Sequence, residues 1–285
     1  MEITHRFIET NGVRLHVAEA GPESGSPVLL LHGFPEFWYG WHAQIQALAE
    51  AGYRVIAPDQ RGYNRSGKPR GKQAYSGGTL AADVAGLMDE LGLESAYVAG
   101  HDWGGIVAWR LAAAHPQRVR KLAILNCAHP RVFARALSRS WVQRRKIWYF
   151  LLFQLPWLPE LLLGMGNHRG AAALMKSSSR PGTFSEFELN SYRAAWGQPG
   201  AWRAMLNWYR ASLLRSKEGR IDWRIRVPAL IIWGRQDRVF MEELAEESLA
   251  QCDEGRLEMI PKAGHWVQHE EPEQVNRLLV EFFRD

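Results

Sequence analysis

Apolar positions in this chain fall into two patterns. The first residues, Ile3 to Gly21, alternate apolar and polar in two runs joined at Asn11-Gly12, which predicts two strands closed by a tight hairpin. Four short, continuously apolar runs follow, Val28–His32, Arg54–Asp59, Ala96–Gly100 and Lys121–Asn126, each ending in turn residues. Helical spacing lies between them, as in Leu80–Leu91 stopped by Gly92 and Ile106–Ala114 stopped by Pro116. Unalternating strands separated by helices predict a parallel sheet covered on both faces.

The alternation of strands and helices breaks at about Pro130. From there to Ile221 no segment reads as a strand; the stretch is rich in Trp, Leu and Arg and broken by Gly and Pro. Strand patterns resume at Ala229–Gly234 and Arg256–Ile260, followed by a helix over Glu271–Phe283. A helical block, residues 130–221, therefore interrupts an α/β core made of residues 1–129 and 222–285. The most apolar run, Ile147–Leu163, is broken by Gln154, Pro156, Pro159 and Glu160, too soon for a membrane span of about 20 residues. It predicts short core helices ended at the prolines.

Charge sharpens that division. Residues 131–220 carry 15 Lys/Arg against 4 Asp/Glu, a net +11, whereas the rest of the chain is at −6 and the whole at +5. A basic block fits a solvated face or an anionic partner such as a membrane surface. No interleaved basic–aromatic motif accompanies it, so no nucleic-acid partner is expected. The 285 residues, 46% hydrophobic and 23% charged, suit an ordinary globular chain. Cys127 and Cys252 are too few for a disulfide scaffold or a Cys-rich zinc site and fit a reduced cytoplasm, the expected location. The first residues, MEITHRFIET, predict no signal peptide.

Chemistry concentrates at the predicted strand ends. Gly100-His101-Asp102-Trp103-Gly104-Gly105 follows a strand and precedes a helix beginning near Ile106, the context of a nucleophile elbow, with aspartate at its centre. A helix N-terminus favours an ionised carboxylate there. Taken alone, the hexapeptide is equally a glycine-rich turn with Asp102 as a helix cap. Asp237 and His265 also follow strands, and a nucleophile, an acid and a histidine in that order form a triad. The loop His32-Gly33-Phe34-Pro35 follows the first parallel strand, so the Phe34 and Trp103 N–H groups are candidates for an oxyanion hole. His265 and His269 are four apart, but Trp266 replaces the Glu that a zinc-protease helix needs, so no metal is expected. No G-x-G-x-x-G or phosphate loop is present, and no cofactor is expected.

Together, HGFPEFWYGW at His32–Trp41, GHDWGG at Gly100–Gly105 and GHWVQHEEPEQV at Gly264–Val275 resemble the epoxide hydrolases of the α/β-hydrolase superfamily, along essentially the whole chain. The resemblance implies an α/β-hydrolase fold, a mostly parallel sheet flanked by helices with an inserted helical cap. It also implies two cap tyrosines facing the nucleophile. Tyr149 matches one, with Phe153 and Gln154 four and five residues later, and Tyr209 in Asn207-Trp208-Tyr209-Arg210 matches the other. His32, Phe34, Pro35, Trp103, Phe153 and Gln154 are the implied substrate contacts. The implied reaction opens an apolar epoxide through an Asp102 ester, which water activated by His265 and Asp237 then hydrolyses. A homodimer stays open.

Haloalkane and haloacetate dehalogenases share the aspartate nucleophile. The haloacetate type carries Arg where Trp103 stands, and the haloalkane type commonly has a polar residue at Phe34 and lacks the tyrosine pair. A non-catalytic ligand-binding member of the fold would usually lose a triad residue, and this chain keeps all three. Trp38, Trp41, Trp103, Trp148, Trp208, Phe34, Phe37 and Phe153 lie within or beside the motifs, which predicts an apolar, aromatic pocket.

Overall fold

The computed structural model describes residues 2–214 and 221–284. The chain opens with β1 (Thr4–Thr10) and β2 (Val13–Ala20), then runs β3 (Pro27–Leu31), α1 (His42–Glu50), β4 (Arg54–Pro58), α2 (Gly77–Glu90), β5 (Ala96–His101), α3 (Asp102–Ala114) and β6 (Val119–Leu125). Six helices come next: α4 (Pro130–Arg139), α5 (Trp141–Lys146), α6 (Tyr149–Leu152), α7 (Leu158–Ser178), α8 (Glu186–Trp196) and α9 (Ala201–Ser212). The chain ends with β7 (Ala229–Gly234), α10 (Glu243–Leu249), β8 (Gly255–Ile260), α11 (Val267–Glu270) and α12 (Pro272–Phe283).

The eight strands form one sheet in the order β1-β2-β4-β3-β5-β6-β7-β8. β1 and β2 pair antiparallel with Thr10 opposite Val13, and β2 pairs antiparallel with β4. The hairpin closes on Asn11 and Gly12, both at positive φ (44° and 69°), as an Asn-Gly turn requires. The other pairings are parallel.

Period-two geometry explains the unbroken apolar strands. On β3, Val28 and Leu30 face one core, which holds Ile45 and Leu48 of α1 and Leu278, Leu279 and Phe283 of α12. Leu29 and Leu31 face the other, which holds Leu87 of α2, Val107, Trp109 and Leu111 of α3, and much of the helical block. With a core on each face, no polar alternation is required.

No strand lies between β6 and β7 among the described residues. α8 starts on a capping box, in which the Ser185 hydroxyl accepts from the Glu188 N–H and the Glu188 side chain accepts from the Ser185 N–H. α7 is interrupted at Met165–His168, where three successive residues adopt left-handed φ values.

Two expectations are corrected. The helix after β5 begins at Asp102, not near Ile106, because its first turn contains two glycines that hide the apolar period. The Ile147–Leu163 run does break around its prolines, with α6 ending at Leu152 and α7 starting at Leu158. However, only part of it is core. Ile147, Phe153 and Leu163 turn inward, whereas Trp148, Leu151 and Trp157 are 63%, 76% and 69% exposed.

Candidate active site

Three loops at the C-terminal ends of parallel strands converge, as expected for an open α/β sheet. Asp102 is the first residue of α3 and has φ +49°, a strained value for a non-glycine residue. The turn closes this tightly because of its glycines. A Cβ on Gly104 would lie 2.0 Å from the Leu31 carbonyl oxygen, and one on Gly100 would lie 2.5 Å from the Gly104 carbonyl oxygen.

The Phe34 N–H donates to Asp102 Oδ1 at 2.9 Å. Asp102 Oδ2 stands 3.6 Å from His265 Nε2, and His265 Nδ1 stands 3.0 Å from Asp237 Oδ2. The three residues named from sequence are thus brought into one line. The Trp103 N–H belongs to the first turn of α3, where amides have no partner within the helix.

Asp237 is held on both oxygens. Oδ1 accepts from the Val239 and Phe240 N–H groups at 2.6 and 3.0 Å, and Oδ2 accepts from Asn126 Nδ2 at 2.7 Å. Burial opposes its charge, but the adjacent imidazole and these donors outweigh that, and its pKa is lowered. Burial would likewise discharge His265. Asp237, with Asp102 beside it, reverses the direction and raises His265 to about 10.

Both tyrosines reach this centre from the helical block. Tyr209 on α9 is buried, with its ring 4.9 Å from Trp103, 5.0 Å from Phe34 and 6.2 Å from Tyr149. Burial pushes both phenols well above 10, and the Asp102 charge adds to it; for Tyr209 the neighbouring Tyr149 contributes more than Asp102, and a hydrogen bond with Trp103 acts the other way. Their protons are therefore firmly held until a stronger base arrives.

A cavity of about 270 Å³ opens over Asp102. Trp103, Ile106, Phe133, Tyr149, Phe150, Val239 and Phe240 line it, and Asp102 is its one charged lining residue among those described. The apolar, aromatic pocket is present, but its walls are not those expected. Of the eight aromatics flanking the motifs, Trp103 lines it, Trp41 is fully buried in the core and Trp148 faces solvent.

The implied substrate contacts divide similarly. Phe34 and Phe153 pack on Tyr209, at 5.0 and 4.9 Å. His32 is fully buried; Gln60 N–H donates to its Nε2 at 3.0 Å, which leaves Nδ1 to donate to the Gly33 carbonyl at 3.0 Å. It braces the Phe34 loop. The Pro35 carbonyl accepts from the Trp196 indole of α8 at 2.6 Å. Gln154 donates to the backbone carbonyls of Phe150 and Tyr209 at 3.1 and 3.2 Å, tying the turn after α6 to α9.

Other site residues escaped the sequence reading. Asn126, at the end of β6, fixes Asp237 while its own Oδ1 accepts from the Gly234 N–H at 2.8 Å. Glu36 is buried and accepts from Tyr192 Oη at 2.9 Å, with His269 Nε2 at 2.7 Å and His101 Nδ1 at 3.1 Å. Burial opposes its charge, yet the two imidazoles hold its pKa well below the usual range. His101 Nε2 lies 2.9 Å from the His265 carbonyl oxygen, so this network runs from α8 to the back of the triad. Glu36, His101 and His269 all sit inside the three motifs, and that was the available signal; Asn126 offered only its place at a strand end.

A family model for the alpha/beta hydrolase fold matches residues 26–272. Epoxide hydrolase A of Mycobacterium tuberculosis is 36% identical over 316 residues, spanning 98% of this chain and 97% of that protein. The chain belongs to the epoxide hydrolases of the α/β-hydrolase superfamily. Within that superfamily it is also similar to the AB hydrolase superfamily protein YfhM of Bacillus subtilis (strain 168), 45% identical over 280 residues and 98% of each chain. Among solved structures, the Bacillus megaterium epoxide hydrolase in complex with an inhibitor superposes with a TM-score of 0.87 at 29% identity, covering 98% of this chain and 100% of that one. The eight-stranded, mostly parallel sheet with helices on both faces is the fold of this epoxide hydrolase family.

Proposed function

We propose that this protein converts apolar epoxides to vicinal diols through a covalent ester on Asp102. The observation that carries the reading is the Asp102 carboxylate itself, set between the Phe34 N–H and His265, with the Tyr149 phenol lining the apolar cavity over it and Tyr209 packed behind, against Tyr149 and Trp103.

Asp102 Oδ1 is engaged by Phe34, so Oδ2 attacks a ring carbon. The carbon–oxygen bond of the ring breaks and its electron pair moves to the epoxide oxygen. An alkoxide is far more basic than a phenolate, so Tyr149 and Tyr209 donate hydrogen bonds to it and one of them gives it a proton, becoming a phenolate. The ester is neutral, so His265 loses the Asp102 contribution to its raised pKa and passes its proton, by way of solvent, to the phenolate left by ring opening. As neutral imidazole, oriented by Asp237, it takes a proton from water. The hydroxide attacks the ester carbonyl, and the N–H groups of Phe34 and Trp103 stabilise the resulting oxyanion. Collapse frees the diol and restores the carboxylate. Each step uses side chains, backbone amides and water, so the reaction needs no cofactor.

In this scheme residues 130–221 serve as a cap over the core formed by 1–129 and 222–285, contributing both phenols; residues 215–220 of that segment lie outside the described residues. A single turnover in oxygen-18 water, with enzyme in excess over styrene oxide, tests the ester. Label is expected on the Asp102 peptide, because the diol's new oxygen comes from the carboxylate. Label in the diol on the first turnover would mean direct attack by water and would remove Asp102 as nucleophile.

A further inference from the structure

The outer face of the helical block has features that the epoxide chemistry does not use. Among the described residues, nine of the eleven exposed large apolar side chains fall between Trp141 and Met165. Trp148, Leu151 and Leu155 lie on or beside α6, and Trp157, Leu161, Leu162 and Met165 lie at or just before the first turns of α7. An exposed cluster this concentrated marks an interaction surface.

Its charge says what kind. Residues 130–165 hold six Lys/Arg and one acid, Glu160, which is occupied by Arg210 at 2.7 Å. Lys146 is occupied as well, donating to the carbonyls of Asp237 and Phe240 at 2.6 and 3.1 Å. The remaining five, Arg131, Arg135, Arg139, Arg144 and Arg145, are exposed, and among the described residues none pairs with a carboxylate. Arg131, Arg135 and Arg139 recur every fourth residue along α4, while Arg145 stacks over the exposed Trp141 ring at 5.1 Å.

We infer that this face docks peripherally on an anionic lipid bilayer. Exposed tryptophans and leucines interspersed with unpaired arginines suit the boundary between headgroups and acyl chains. No helix among the described residues is long and apolar enough to cross a membrane, so the contact is interfacial. A second copy docking through the same face would oppose five arginines to five, which disfavours a symmetric dimer. The Asp102 cavity has Ala134, Leu137 and Leu213 on its rim, and Ala134 and Leu213 are exposed, so it opens beside α4. The docked protein would thus face the phase in which apolar compounds dissolve; this last consequence rests on the epoxide reading, but the docking does not.

The test is co-sedimentation of the full chain with vesicles of phosphatidylglycerol and phosphatidylcholine, against phosphatidylcholine alone. Tryptophan quenching by brominated lipid reports insertion. Each arginine near an acidic surface strengthens partitioning roughly fivefold, so Arg131→Gln, Arg135→Gln and Arg139→Gln together should weaken it about a hundredfold. Leu151→Ser with Trp157→Ser should weaken binding to acidic vesicles at least about tenfold and abolish quenching. Both variants must keep the wild-type melting temperature, which separates lost docking from lost folding; a variant that fails this check is replaced by Leu151→Ser alone or Arg135→Gln alone. Failure to bind acidic vesicles, equal binding to both compositions, or unchanged binding by the folded variants would overturn the inference. So would reversible dimerisation in sedimentation velocity that Leu151→Ser abolishes, since a second copy would then be the occupant.

Discussion

Replacing Asp237 with asparagine should separate the two halves of the proposed reaction. Each carboxylate oxygen of Asp237 serves two donors: Val239 and Phe240 N–H on Oδ1, Asn126 Nδ2 and His265 Nδ1 on Oδ2. An amide can satisfy one side only. If its NH2 faced the backbone, two buried N–H groups would lose their acceptor, at about 1–3 kcal/mol each. If it faces the other side, it meets the Asn126 amide, which cannot flip because its oxygen holds the Gly234 N–H. His265 can adapt there by changing tautomer. The second arrangement is cheaper, so Nδ1 becomes an acceptor and Nε2 carries the proton. With the charge of Asp237 gone, burial also lowers the imidazole's pKa. The nitrogen facing the ester then cannot take a proton from water, a tautomer fault that costs about 10⁴-fold in serine hydrolases. Ring opening by Asp102 should persist. Rapid mixing with styrene oxide followed by intact-mass measurement should reveal one stable adduct per chain, on the Asp102 peptide, with steady-state turnover reduced by about 10³–10⁴. If the folded variant forms no adduct and no diol, or turns over near the wild-type rate, the division of labour between Asp102 and the His265–Asp237 pair is wrong.

Tyr149→Phe and Tyr209→Phe each remove one donor but keep the ring contacts, so single variants should lose about 10²–10³ in the alkylation rate with nearly unchanged melting temperature; a double variant near wild type in stopped-flow would exclude both phenols. His265, raised from 6.5 to about 10 in the fold, contributes stability that is complete below pH 6.5 and lost as pH rises towards 10, worth about 5 kcal/mol across that window. Melting curves of His265→Gln should therefore lack the alkaline decline of wild type over that range, and parallel curves would contradict the shift. Because Asp102 is the one charge lining the cavity among the described residues, styrene oxide should exceed a small epoxy-carboxylate in kcat/KM by at least ~10²-fold, from like-charge repulsion within a few ångströms; preference for the carboxylate would refute the apolar site.

The order of elements was legible because strands covered on both faces must be apolar throughout. Ala229–Gly234 reads as a strand and is one, and the Asn11-Gly12 turn declares its hairpin through the two positive φ values it needs. Asp102, Asp237 and His265 were legible for a related reason, since loops at parallel strand ends are where such sheets gather side chains. Three things depended on packing. Trp148 and Phe133 are both apolar members of helical stretches, and local pattern cannot distinguish the one in solvent from the one at the cavity wall. Asn126 and Asp237 lie far apart in sequence, and only the pairing of β6 with β7 brings amide and carboxylate to 2.7 Å. His265 titrates near 6.5 as a free side chain, and its rise to about 10 exists only where the fold buries it between two carboxylates. Sequence determines which groups each strand end presents; distance, burial and charge pairing arise when the sheet and the helical block close over them.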